Sequence, residues 1–309
     1  MTSEVTREDI NAAAGRIEGW AHVTPTMRSR VLFDGHDIEV KLENTQLTGS
    51  FKVRGAFNTL LSSEVPAAGV VAASGGNHGA AVAYAARSLG YPATIFVPEM
   101  AGPSKIALIR ETGADLHVVE GAYSEALARA QGFEAETGAM QIHGYDSPGT
   151  VAGQGTLLRE WEAQGLEAST VLIAVGGGGL LAGQLAWLQG SRRVVAVEPE
   201  RCPTLWAATD AGSPVDVEVG GVAVNALGAK RIGSICYDLS VKHGPLTVTV
   251  SDEAITQAQV LLWQVLRQWV EPAGATALAA LISGQYLPEP DEKLAVLVCG
   301  ANPAPGPFD

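Results

Sequence analysis

Short runs of aliphatic and β-branched residues alternate with stretches at helical spacing along most of the chain. Gly69-Val70-Val71-Ala72-Ala73 predicts a buried strand, and Ala80 to Leu89 a helix of small residues. Thr94 to Val97 and Leu116 to Val119 predict further strands, each followed by a helix, Lys105 to Glu111 coming between them and Ser124 to Glu136 after them. Val171 to Val175 and Val194 to Val197 flank a helix over Leu180 to Leu188. Ile255, Ala258, Leu262, Val265, Leu266 and Trp269 keep one apolar helical face, and Leu294 to Val298 is a last uncharged strand.

Near-continuous apolar strands separated by helices imply an α/β fold whose sheets are parallel-rich and covered by helices on both faces. Such sheets bind ligands beyond the carboxyl ends of their strands, where loops lead into helix N-termini. The residues just after each strand are therefore the candidate chemistry. No internal repeat or low-complexity tract is present, and Pro303 to Pro307 predicts an extended tail.

Composition adds exclusions. Lys+Arg 20 against Asp+Glu 33 gives a net charge of −13, with no basic cluster, which argues against a nucleic-acid partner. Cys202, Cys236 and Cys299 are too widely spaced for a disulfide framework or a zinc site. The opening Met1-Thr2-Ser3-Glu4 has no secretory pattern, so the expectation is a cytoplasmic protein without a membrane span. The uncharged run Val171 to Leu188 contains four consecutive glycines, which disfavour a spanning helix. Glycine itself is abundant, 36 of 309 residues, above the usual share of roughly 7%.

Much of that glycine falls in the candidate loops. Gly176, Gly177, Gly178 and Gly179 follow a strand and open a helix, so converging N–H groups and the helix dipole suit a phosphate. Gly177, Gly179 and Ala182 also satisfy a dinucleotide pattern, with Glu198 closing the next strand about 20 residues on. A nicotinamide dehydrogenase using the Gly177 loop is accordingly a rival at this point. Ser74-Gly75-Gly76-Asn77-His78-Gly79 is a second strand-to-helix loop able to offer N–H donors to an anion, with the Asn77 amide as a directional group. A helix-start histidine such as His78 is by itself an ordinary structural residue.

In Thr48-Gly49-Ser50-Phe51-Lys52-Val53-Arg54-Gly55, Ser50 reads as an N-cap that places Lys52 and Arg54 in the first helical turn. The helix dipole opposes cations there and lowers an ammonium pKa, which suits a lysine acting as a neutral amine. Cys299-Gly300-Ala301-Asn302 ends the last strand, again at a ligand-facing edge. No sequence partner marks Cys299 as a nucleophile.

Together, Lys41-Leu42-Glu43-Asn44 with Thr48 to Ala56, Ser74 to Gly79, Gly153-Gln154-Gly155-Thr156, the four-glycine loop, Glu271-Pro272-Ala273-Gly274-Ala275 and Cys299 to Asn302 resemble the pyridoxal-phosphate-dependent threonine/serine dehydratase and serine racemase family. The similarity runs from Thr24-Pro25 to Asn302. It implies the two-domain fold type II of the tryptophan-synthase β class, with residues 1–68 and 147–309 forming the large cofactor-binding domain and 69–146 the small one. By the same resemblance Lys52 is the catalytic lysine in Schiff-base linkage to pyridoxal 5'-phosphate and Phe51 the aromatic packed by its ring. Asn77 contacts the phenolic oxygen, Gly176 to Gly179 with Leu180 form the phosphate cup, and Cys299 lies beside the pyridine nitrogen. Ser74, Gly75, Gly76, Asn77 and His78 receive the substrate carboxylate.

The implied reaction is β-elimination of water from a hydroxyamino acid such as L-threonine or L-serine, giving a 2-oxo acid and ammonia. Serine racemase-type and 3-hydroxyaspartate dehydratase activities are the alternatives. Racemases of the family carry a second serine where this chain has Gly75, which transfers no proton. Glu198-Pro199 matches the start of a divalent-cation motif, but Thr204 stands near the expected aspartate, so no metal is expected and Glu198 is the sole weak candidate. Gly220-Gly221-Val222 departs from the Ala-Asp before glycine of many relatives. A non-catalytic cofactor-binding relative and a cysteine-synthase-like β-replacement enzyme are further readings; Val53 stands where the latter branch has aspartate. The resemblance also implies a homodimer or homotetramer without the regulatory domain of biosynthetic threonine dehydratases.

Overall fold

The computed structural model describes residues 4–101, 103–121 and 123–302, the side chains of residues 100 and 103–105 excepted. The proline-rich stretch Pro303 to Pro307 lies outside them. In chain order the strands are β1 (Thr26–Ser29), β2 (Ile38–Leu42), β3 (Val70–Ala73), β4 (Ala93–Pro98), β5 (Asp115–Val119), β6 (Met140–Gln141), β7 (Thr170–Ala174), β8 (Arg193–Pro199), β9 (Leu246–Val250) and β10 (Leu294–Val298). The first six helices are α1 (Arg7–Ile17), α2 (Lys52–Leu61), α3 (Asn77–Ser88), α4 (Pro103–Glu111), α5 (Tyr123–Thr137) and α6 (Pro148–Ala163). The remainder are α7 (Gly179–Leu188), α8 (Thr204–Ala211), α9 (Val224–Leu227), α10 (Ser234–His243), α11 (Asp252–Leu266) and α12 (Pro272–Ile282).

Two sheets result, one ordered β1-β2-β10-β7-β8-β9 and the other β5-β4-β3-β6. Every pairing is parallel except β1 with β2. β2, β7 and β10 are buried at every position, so both faces of the larger sheet are covered, as the uncharged sequences of β7 and β10 require. The core of that sheet gathers side chains from α1, α6, α7, α11 and α12. A second core joins β3, β4 and α3 to Val53, Phe57 and Leu60 of α2, so the lysine-bearing helix packs into the smaller sheet's cluster. β5 is an edge strand with three of its five residues exposed, and its polar Asp115 and His117 suit that place.

Several boundaries differ from the sequence reading. Ser50 is not the N-cap of α2; its backbone is extended, its hydroxyl has no hydrogen-bond partner among the described residues, and Phe51 takes the cap position. The apolar periodicity ending at Trp269 overshoots, because α11 closes at Leu266 and Arg267 turns left-handed with φ 57°. α3 begins at Asn77, earlier than the small-residue run suggests. β1, β2 and β9 carry alternating or charged residues such as Glu39 and Lys41 that mask a strand in sequence. The uncharged Val171 to Leu188 is divided into β7, a glycine turn and α7, and no helix among the described residues is long and apolar enough to cross a membrane.

Candidate active site

The loops after β3, β7 and β10 and the start of α2 converge on one cleft. Phe51, Lys52, Asn77, Gly176 to Gly179, Leu180 and Cys299 all line it, together with Tyr145 and Glu271. Ser74, Gly75, Gly76 and His78 are half-buried neighbours in the Asn77 loop and do not line the cleft itself.

The route into Lys52 is tightly held. Thr48 and Gly49 both have positive φ, 60° and 72°, which for a β-branched threonine is an uncommon and strained backbone. The chain then runs antiparallel to the end of β10: Ser50 bridges Gly300, Phe51 N–H donates to the Cys299 carbonyl at 3.3 Å, and Ala301 N–H donates to Gly49 O at 2.8 Å. Lys52 Nζ lies 5.1 Å from the Phe51 ring centroid and donates to the Gly144 carbonyl at 2.6 Å. Desolvation draws the Lys52 ammonium down to about 8, against the opposing pull of Cys299 and Glu271. Arg54, two residues on, is not an unpaired cation facing the dipole. It is buried and bonded to Glu43 at 2.6 Å and to Glu160 at 2.9 Å, and Glu160 also accepts from buried Lys41 at 2.6 Å.

The glycine loop is closed from behind. Gly178 is left-handed with φ 88°, and a Cβ at Gly176 would stand 2.7 Å from the Leu227 Cα. At Gly177 and Gly179 a Cβ would meet Tyr145 at 2.5 Å and 2.7 Å. Only glycine leaves the main chain accessible here, and the first N–H groups of α7 have no partner within the helix. Gly177 O is pinned by Gly233 N–H at 3.1 Å and Gly176 O by the Thr204 hydroxyl at 2.6 Å.

Glu198 stands behind that loop, fully buried. Its oxygens accept from Leu205 and Trp206 N–H at 2.7 Å each and from Thr204 Oγ1 at 3.1 Å. Burial raises its carboxyl to about 7. Glu198 thus caps α8, and its oxygens face backbone amides, which leaves a ribose hydroxyl no access and removes the basis of the dehydrogenase reading.

The second loop divides its residues between roles. Asn77 Nδ2 donates to Glu271 Oε1 at 2.5 Å, while Asn77 Oδ1 accepts from Asn302 at 2.8 Å. His78 Nε2 lies 2.8 Å from the Ile142 carbonyl, and burial lowers its pKa to about 3, so the ring is neutral and donates there. Gly75 has no room for a side chain, since a Cβ would come within 2.2 Å of the Ala101 methyl. Cys299 Sγ donates to the Ala273 carbonyl at 3.4 Å, and burial pushes its thiol well up, so it stays protonated. The structure adds Glu271, Tyr145 and Asn302 to the neighbourhood of the site. Glu271 and Asn302 sit inside the motifs Glu271 to Ala275 and Cys299 to Asn302, whereas nothing in the sequence marks Tyr145, whose place depends on how α6 is entered.

The sequence pattern of the family described as pyridoxal-phosphate dependent enzyme matches residues 17–300. L-threonine ammonia-lyase of Thermotoga maritima is 34% identical over 96% of this chain and 76% of its own length. Phenylserine dehydratase of Ralstonia pickettii is also 34% identical, over 96% of this chain and 94% of its own length. Among solved structures, maize serine racemase superimposes with a TM-score of 0.92 at 30% identity, covering 98% of this chain and 94% of the racemase.

Proposed function

The chain belongs to the pyridoxal-phosphate dependent enzyme family, and from that premise we propose that it removes water and then ammonia from a β-hydroxy-α-amino acid such as L-threonine or L-serine, leaving a 2-oxo acid. The residues present fit the cofactor: a glycine cradle that side chains would fill, a desolvated lysine and a neutral thiol face one cleft. Gly176 to Gly179 and the N-terminus of α7 would hold the phosphate, Phe51 would pack on the ring, and Asn77 and Cys299 would meet its two polar edges. Bound there, pyridoxal phosphate supplies the electron sink that makes a Cα proton removable.

The chain's own groups do the rest. Lys52 would hold the cofactor, and its Nζ is the group placed to take the Cα proton; an amine with a pKa near 8 holds a usable neutral fraction at physiological pH. The loop from Ser74 to His78, which borders the cleft through Asn77 at the start of α3, would receive the substrate carboxylate. Cys299 offers the ring nitrogen a neutral partner, which favours elimination over transamination.

Lys52 at the meeting point of the glycine loop and the Asn77 loop is the observation that carries this reading. Racemisation is disfavoured because Gly75 bears no proton-transferring group and its surroundings exclude one. The smaller unit is taken as residues 69–146, supported by a four-stranded sheet confined to that span, with 1–68 and 147–309 as the larger unit. A cytoplasmic homodimer or homotetramer is part of the reading, and three unpaired cysteines suit a reducing compartment.

The purified protein is expected to absorb in the near-ultraviolet to violet, to lose that band on borohydride treatment and in Lys52→Ala, and to release a 2-oxo acid from L-threonine or L-serine. A colourless protein that gains no band with added pyridoxal phosphate overturns the proposal. Release from 3-hydroxyaspartate but from neither L-threonine nor L-serine would move the assignment to that substrate.

A further inference from the structure

Three amide and carbonyl groups and a carboxylate form one line along the edge of the cleft. Asn302 Nδ2 donates to the Thr48 carbonyl at 2.7 Å and to Asn77 Oδ1 at 2.8 Å. Asn77 Nδ2 donates in turn to Glu271 Oε1 at 2.5 Å. A backbone carbonyl only accepts, so Thr48 decides which end of the Asn302 amide is nitrogen. That choice places oxygen on the Asn77 atom facing Asn302, and therefore nitrogen on the atom facing Glu271. The carboxylate closes the line with an acceptor. The direction of the Asn77 amide is thus dictated from both sides.

Asn77 Nδ2 has two hydrogens, and Glu271 takes one. The other belongs to a residue that lines the cleft and is itself buried. Asn302 reaches this position only because Gly49 has no side chain; a Cβ there would lie 2.5 Å from Asn302 Oδ1. The line also ties four elements together: the turn before α2, the end of β10, the start of α3 and the cap of α12.

We infer that Asn302 is a positioning residue that, through Asn77, presents the cleft with a hydrogen-bond donor in place of an acceptor, matched to the phenolic oxygen of the cofactor. This rests on the proposed role of Asn77. Without Asn302 the direction of the Asn77 amide is held by Glu271 alone, and a turned-over amide would set its oxygen against both that anion and Glu271.

The decisive variant is Asn302→Asp, which keeps the shape and donates nothing to Thr48 or Asn77. Cofactor affinity is read by titrating the cofactor-free protein with pyridoxal phosphate, and the pH midpoint of the visible band is read alongside. Affinity is expected to fall about tenfold, the scale of one hydrogen bond to a charged group, with a displaced midpoint. In an Asn77→Ala background the same substitution should add nothing to either readout. An unchanged midpoint and affinity in Asn302→Asp, or effects that add fully to those of Asn77→Ala, would overturn the inference. Asn302→Ser carries the same cycle if the aspartate variant does not fold. A wild-type protein lacking a Lys52-dependent band is a different failure, and it removes the reading of Asn77 instead.

Discussion

Lys52 Nζ donates to the carbonyl of Gly144 at 2.6 Å, which joins the first turn of α2 to the segment between β6 and α6. That bond holds the amine in place within a cleft whose desolvation brings its pKa to about 8. Attachment of pyridoxal phosphate to the cofactor-free protein needs the neutral amine, so its rate should rise with pH and level off above about 8. The sign for stability follows from the same shift. The unfolded chain holds the Lys52 proton up to about 10.5 while the native one releases it from about 8, so the cofactor-free protein should gain stability as pH rises through that window. Stopped-flow absorbance across pH checks the first expectation; a midpoint near that of an ordinary lysine would contradict it.

Gly75→Ser should not create a racemase. The added Cβ would overlap the Ala101 methyl at 2.2 Å, so the neighbouring turn must move, at about 1–3 kcal/mol of stability. Thermal unfolding and chiral analysis of L-serine turnover test this together. D-serine formed at a rate comparable to elimination would show that the position tolerates a base.

Gly176→Ala should weaken cofactor binding by at least about tenfold, because the new methyl meets main-chain atoms of Leu227, which cannot swing aside as a side-chain end would. Equilibrium titration with pyridoxal phosphate gives the number. Affinity equal to wild type would mean that the glycine loop does not face the phosphate.

Arg54→Met should destabilise the protein by about 3–5 kcal/mol, since it strands the fully buried Glu43 carboxylate. Urea unfolding at neutral pH reads the loss. A cost below about 1 kcal/mol, the range of exposed pairs, would show that the network is solvated.

Strand and helix alternation, the parallel-rich class and the ligand-facing loops were legible because continuous apolar strands and glycine turns leave a period-independent signature. That Lys52, Asn77, the glycine loop and Cys299 line one cleft was foreshadowed for a related reason: each sits just after or before an element whose hydrophobicity announces it. Ser50 does not cap α2, because a serine before a helix satisfies the local rule while the β10 segment pulls its backbone into an extended bridge. Trp269 continued a helical period that Arg267 ends with a single left-handed residue, and no residue type announces such a break.

What the sequence by itself determined was which residues stand at strand ends and which positions must lack a side chain, since both are consequences of local hydrophobicity and backbone freedom. Only the tertiary structure decided their relations. It showed that His78 spends its ring on Ile142, that Glu198 spends its carboxylate on α8, and that Asn77 is held between Glu271 and Asn302. Those partners lie tens to hundreds of positions away along the chain for Ile142, Glu271 and Asn302. A hydrogen bond depends on distance and direction in space, and sequence spacing carries neither once the chain has crossed from one sheet to the other.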